Sequence, residues 1–162
     1  LERGTPAQTP PSEDDLADAM MASRILAHAQ GFAVMATASE EFEWALDMAR
    51  IAEIWRAGCI IRSALLDEFA DAFRGELPLG QMILAPAMVK RLQASVPGLR
   101  RVVAAAALAG QPVPALAAAL SWHDSMSRAR GTADMIQGLR DYFGNHGFER
   151  IDRAGVHHGS WG

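Results

Sequence analysis

The chain has 162 residues, half of them hydrophobic, and a formal net charge of −4 at neutral pH, so it can build one domain with a core of its own. The acidic balance excludes a nucleic-acid binder held mainly by phosphate neutralisation. The single cysteine, Cys59, excludes an intramolecular disulfide framework or a multi-cysteine metal cluster. No apolar run reaches the length of a membrane span and no secretory signal pattern is present, so the expected setting is cytoplasmic, without membrane contact.

Composition also sets the fold class. There are 31 Ala and 15 Leu against 7 Val, 8 Ile and 4 Thr, which favours helices over strands, and no segment alternates with period two. The expectation is all-α, a bundle of about six helices followed by an extended tail. Residues 1–12, with three prolines, read as a flexible lead-in, 13–146 as the helical domain and 147–162 as the tail. The sequence opens at Leu1 without an initiating methionine, as expected of a fragment, a processed chain or an engineered start.

Ser12 followed by Glu13, Asp14 and Asp15 marks the start of a first helix, because the hydroxyl can cap a free N–H and the acids suit the positive end of the helix dipole. It runs to about Ser39, with Leu16, Met20, Leu26, Phe32 and Met35 at helical spacing and alanines between them. A second helical region spans about Asp47 to Phe73, with a break or kink near Ala57–Gly58. A third is expected over Gln81–Ala94 and a fourth from Pro97 to Gly110, whose run Val102–Leu108 lacks a polar face and so reads as central core. Pro112 and Pro114 open a fifth helix to about Arg130. A sixth runs from Thr132 to Phe143, with Gly144 and Asn145 as its stop.

The chemistry concentrates in the last quarter. Arg140 sits near the end of the sixth helix and His146 just past it. A guanidinium donates two parallel hydrogen bonds to a phosphate or carboxylate, and an imidazole adds a donor of adjustable charge, so the two could converge on one anion. A solvated arginine complementing the helix dipole and a surface histidine are the alternative, and spacing alone does not choose. In the tail, His157-His158 has no fixed third partner for a metal, while Tyr142, Phe143, Phe148 and Trp161 make the region too aromatic for a free tail and call for a docking surface. Further upstream, Arg56 and Arg62 flank Cys59 among large apolar residues. Their reading as a second anion clamp competes with, and yields to, pairing with acids such as Glu53 or Asp67. There is no Gly-x-Gly-x-x-Gly and no Gly-x-Ser-x-Gly, so no dinucleotide or acyl-transfer loop of its own.

Ala29-Gln30-Gly31-Phe32, the segment Ile54–Ser63, Arg140–His146, then Arg150, Asp152 and Trp161 come in an order and spacing that resemble the C-terminal helical region of the decarboxylating 6-phosphogluconate dehydrogenases. The resemblance covers the chain from about Asp18 onward. It departs at Leu139, where that family typically has Gln, and at Asn145, where Ala is usual.

The resemblance implies an enzyme that oxidatively decarboxylates 6-phosphogluconate to ribulose 5-phosphate with NADP or NAD. It implies a homodimer, whose C-terminal tail reaches into the other subunit. Arg140 and His146 match the family's substrate-phosphate contacts across that interface. The catalytic lysine and glutamate and the Rossmann cofactor domain would lie outside this chain, leaving it without catalytic, cofactor-binding or metal residues and inactive alone. A stand-alone helical dimerisation module derived from the same family is the rival reading, and the parent open reading frame separates the two.

Overall fold

A computed structural model describes residues 9–161, so most of the expected lead-in, residues 1–8, lies outside the described residues. The described residues form six α-helices and one two-stranded hairpin, in two compact units that divide between Trp122 and His123. The all-α expectation holds, although the six helices are not the six expected.

Helix α1 (Glu13–Glu41) begins as its sequence dictates. The Ser12 hydroxyl accepts from the Asp15 N–H at 3.1 Å, and the Asp15 carboxylate accepts from the Ser12 N–H at 3.1 Å, a reciprocal capping box. Ala19, Ala22, Ile25, Leu26, Ala29 and Phe32 turn into the core, whereas Leu16 and Met20, expected on the same stripe, are about half exposed. The second helical region divides more widely than a kink. Helix α2 (Met48–Arg56), capped by Asp47, stops before Gly58 at φ +87°, and α3 (Leu65–Arg74) starts only after an irregular link.

Helix α4 (Pro86–Leu108) corrects the reading of two helices broken before Pro97. Pro97 lies inside it, where its missing N–H leaves the helix one bond short. Burial outweighs that cost, since Ser95, Val96, Gly98 and Leu99 around it are all buried. Pro86 occupies the first-turn position instead, where proline is tolerated. Gly98 is the close point of the α1–α4 pair: a β-carbon there would fall 2.4 Å from Asp18 Cβ and 3.2 Å from the Asp15 carbonyl oxygen. The run Val102–Leu108 is not central core either. Val102 is buried, but Leu108 is 73% exposed, and the alanines between present little apolar surface in any direction.

Together α1 to α4 and the start of α5 (Pro114–Met126) enclose one apolar core. Phe32 is its centre. Its ring lies 4.8 Å from Phe73, 5.3 Å from Trp55 and 6.3 Å edge-on from Phe69, with Leu66, Met88 and Leu99 sealed around this cluster. Each such side chain contributes about 1.5–3 kcal/mol through burial. Ion pairs ring this core: Arg91 grips Glu68 through two bonds of 2.5 and 2.6 Å, and Arg101 reaches Asp15 at 2.7 Å. Arg101, the largest influence on Asp15, holds that carboxyl below its ordinary range.

The second unit is built differently. Helix α6 (Ala133–Gly144) ends at Asn145, which adopts the left-handed conformation (φ 50°, ψ 36°) and returns its N–H to the Asp141 carbonyl at 2.7 Å. Thr132 precedes it but makes no side-chain cap. Gly147 at φ +72° then turns the chain into β1 (Phe148–Glu149), which pairs antiparallel with β2 (Val156–His157). The segment expected to be extended thus contains a short hairpin.

Candidate functional site

Helix α6 carries the residues around which much of the second unit is arranged. Arg140, Phe143 and Gly144 on its last turn and a half, with Ile136 and Leu139 one turn earlier and His146 beyond the stop, line one open concavity of about 560 Å³. The structure therefore brings the two expected anion ligands to the same hollow. Both side chains are exposed, and the Arg140 Nη1 donates to Gln137 Oε1 at 3.1 Å. Neither group is paired with an acid among the described residues. His146 also borders a second hollow of about 460 Å³ with Gln137, Phe148 and Glu149.

Gly144 makes this placement possible. A β-carbon at 144 would come within 2.8 Å of His146 Cδ2 and 3.0 Å of its Nε2, so the imidazole lies across the bare backbone at the helix end. Gly147 is needed twice over, for its positive φ and because a β-carbon would meet Val156 Cγ1 at 2.3 Å.

The residue that sequence reasoning passed over is Asp141, between Arg140 and Tyr142. It is 2% exposed, and its carboxylate accepts four hydrogen bonds. The Gly147 N–H (2.8 Å) and His158 Nδ1 (2.7 Å) meet Oδ1, while the Gly159 N–H (2.8 Å) and Trp161 Nε1 (2.6 Å) meet Oδ2. The Gly159 N–H above all, opposed by burial and reinforced by Trp161, His158 and Gly147, holds the carboxyl far below its ordinary range. One signal for it was available. A helix dipole disfavours an acid in the last turn, so an acid there implies donors brought to it.

The tail aromatics follow from this anchor. Trp161 lies edge-on to Tyr142 at 5.9 Å and reaches Gly138, and it occupies the space a β-carbon on Gly159 would need. The adjacent histidines separate: His158 turns to Asp141, while His157 Nε2 faces the Ala154 carbonyl at 3.2 Å. Arg150 forks onto Asp152 through bonds of 2.8 and 2.7 Å. In the first unit, Arg56 meets Asp67 at 2.6 Å, the acid pairing weighed above. Both Arg56 and Arg62 are exposed rather than buried. Cys59 donates its thiol to the Trp55 carbonyl.

The family described as "6-phosphogluconate dehydrogenase, C-terminal domain" matches residues 4–161. The chain belongs to that family. Decarboxylating 6-phosphogluconate dehydrogenases of Treponema pallidum and Lactococcus lactis subsp. cremoris are 40% and 44% identical over 90% and 88% of this chain. That of Escherichia coli is 41% identical over 88%. The chain spans about 30% of the length of these relatives. A solved Plasmodium falciparum 6-phosphogluconate dehydrogenase, obtained apo, with NADP+ and with 6-phosphogluconate, superposes with a TM-score of 0.85 at 34% identity, over 92% of this chain and 32% of that one. No helix of the described residues is long and apolar enough to cross a membrane.

Proposed function

We propose that this chain is the C-terminal, subunit-pairing part of a decarboxylating 6-phosphogluconate dehydrogenase. In this reading it works in the cytoplasm as a homodimer and supplies Arg140 and His146 to the phosphate of a 6-phosphogluconate bound by the neighbouring subunit. The observation that carries the reading is the shared hollow at the end of α6, where a guanidinium and an imidazole stand exposed without an acid partner among the described residues. A phosphate is the ligand that such a pair suits, because the planar fork can bond two of its oxygens and the imidazole a third.

The complete enzyme needs a nicotinamide, NADP or NAD, as hydride acceptor. The Plasmodium relative was obtained with NADP+; in this reading the cofactor and the lysine and glutamate of proton transfer belong to other parts of the enzyme, in keeping with the lack of a Gly-x-Gly-x-x-Gly loop in this sequence. The work of Arg140 and His146 is to bind and orient. Holding the phosphate end fixes where the sugar's reacting carbons lie relative to those other groups.

The test is Arg140→Ala in the complete enzyme. Loss of a charge-assisted bond worth about 1.5–3 kcal/mol raises the apparent KM for 6-phosphogluconate at least ~tenfold. An unchanged KM removes Arg140 from the site.

A further inference from the structure

Asp141 touches no part of the proposed phosphate clamp, yet it brackets one of the clamp's two members. Its main-chain carbonyl accepts from the Asn145 N–H, and its side chain accepts from the Gly147 N–H, so the residues on either side of His146 are both tied to Asp141. The same carboxylate receives His158, Gly159 and Trp161 from the end of the tail. Two donors on each oxygen fill the four acceptor sites that a carboxylate offers, and none is left for a ligand. We propose that Asp141 is a positioning residue, which holds His146 across the end of α6 and makes its place depend on the last residues of the chain. The proposal rests on the reading of His146 as a phosphate contact.

Asparagine is the sharp probe, because it keeps the size of Asp141 and replaces one two-acceptor oxygen by an NH2 group that faces two donors. In the complete enzyme, Asp141→Asn raises KM for 6-phosphogluconate about five- to tenfold with kcat changed less than about twofold, the split expected when binding alone is disturbed. In a His146→Ala background the same substitution adds less than about twofold, since residues that act through one another are not additive. Trp161→Phe removes one donor and keeps the ring. It raises KM by a smaller factor, about two- to threefold, and covers the case in which Asp141→Asn does not fold.

A second readout does not depend on substrate. Carbethoxylation of His146 by diethyl pyrocarbonate, followed by peptide mass spectrometry, becomes severalfold faster in both variants once the ring leaves its seat on Gly144. A KM factor for Asp141→Asn that is the same with and without His146, or carbethoxylation unchanged in both variants, overturns the proposal. If His146→Ala itself leaves KM unaltered while carbethoxylation still responds to Asp141→Asn, the phosphate reading fails and the positioning role stands.

Discussion

The two units of this chain solve the same problem by opposite means. In the first, Phe32, Phe69, Ile25, Leu26, Leu66, Met88 and Leu99 are sealed from water, and the buried polar side chains are the small hydroxyls of Ser23, Ser39 and Ser95. In the second, no hydrophobic side chain among the described residues is fully buried, and the sealed group is a carboxylate. Apolar burial is non-directional and tolerates small shifts, so it suits a scaffold. A carboxylate with four donors is directional, and a shift of any donor breaks a bond. The proposed phosphate ligands lie where geometry is set by direction.

That contrast can be broken at its strong side first. Phe69→Ala leaves a cavity under Phe32 and Leu66 and is expected to cost about 3–5 kcal/mol, read from urea unfolding of the whole chain. A loss below about 1 kcal/mol would mean that the aromatic cluster does not carry the scaffold.

The second unit responds to acid instead. Because the Asp141 carboxyl is held below its unfolded value, its ionised form is favoured in the folded state, and its contribution is complete above the ordinary aspartate range near pH 4 and is lost as pH falls below it. The indole fluorescence difference between the wild type and Trp161→Phe is expected to hold from pH 7 to about 5 and to decline below about 4. A difference already lost between pH 7 and 5, where the carboxyl is ionised in the folded and unfolded chain alike, would show that the tail is not held by this carboxylate. The smallest effect is expected at the periphery of the first unit. Arg56→Ala removes an exposed pair with Asp67 and should cost about 0.2–1 kcal/mol by the same unfolding measurement, and a larger loss would mark Arg56 as part of the scaffold.

The two units were also unequally legible in the sequence. Local chemistry announced itself: the Ser12 cap, the stop at Asn145 and the break at Gly58 all follow from side chains and glycines acting on their own backbone. What sequence could not show was tertiary burial overruling local preference. Pro97 reads as a helix start until Gly98 and Leu99 are seen pressed into the core, and Val102–Leu108 reads as core until Leu108 is seen in water. In the site, Arg140 and His146 were visible because charge near a helix end is conspicuous. Asp141 was not, because its four partners come from residues 147 to 161 and only the folded hairpin assembles them.

The missing β-carbon at Gly98 reaches beyond its own position. The two longest helices of the chain are spaced there by a hydrogen atom, with the Asp18 side chain filling the room a methyl group would claim. Positions 18 and 98 therefore behave as a matched pair of shims. A relative with a bulkier residue at one must carry a slimmer one at the other, or its long helices must cross farther apart and its aromatic centre must be rebuilt to fill the wider gap.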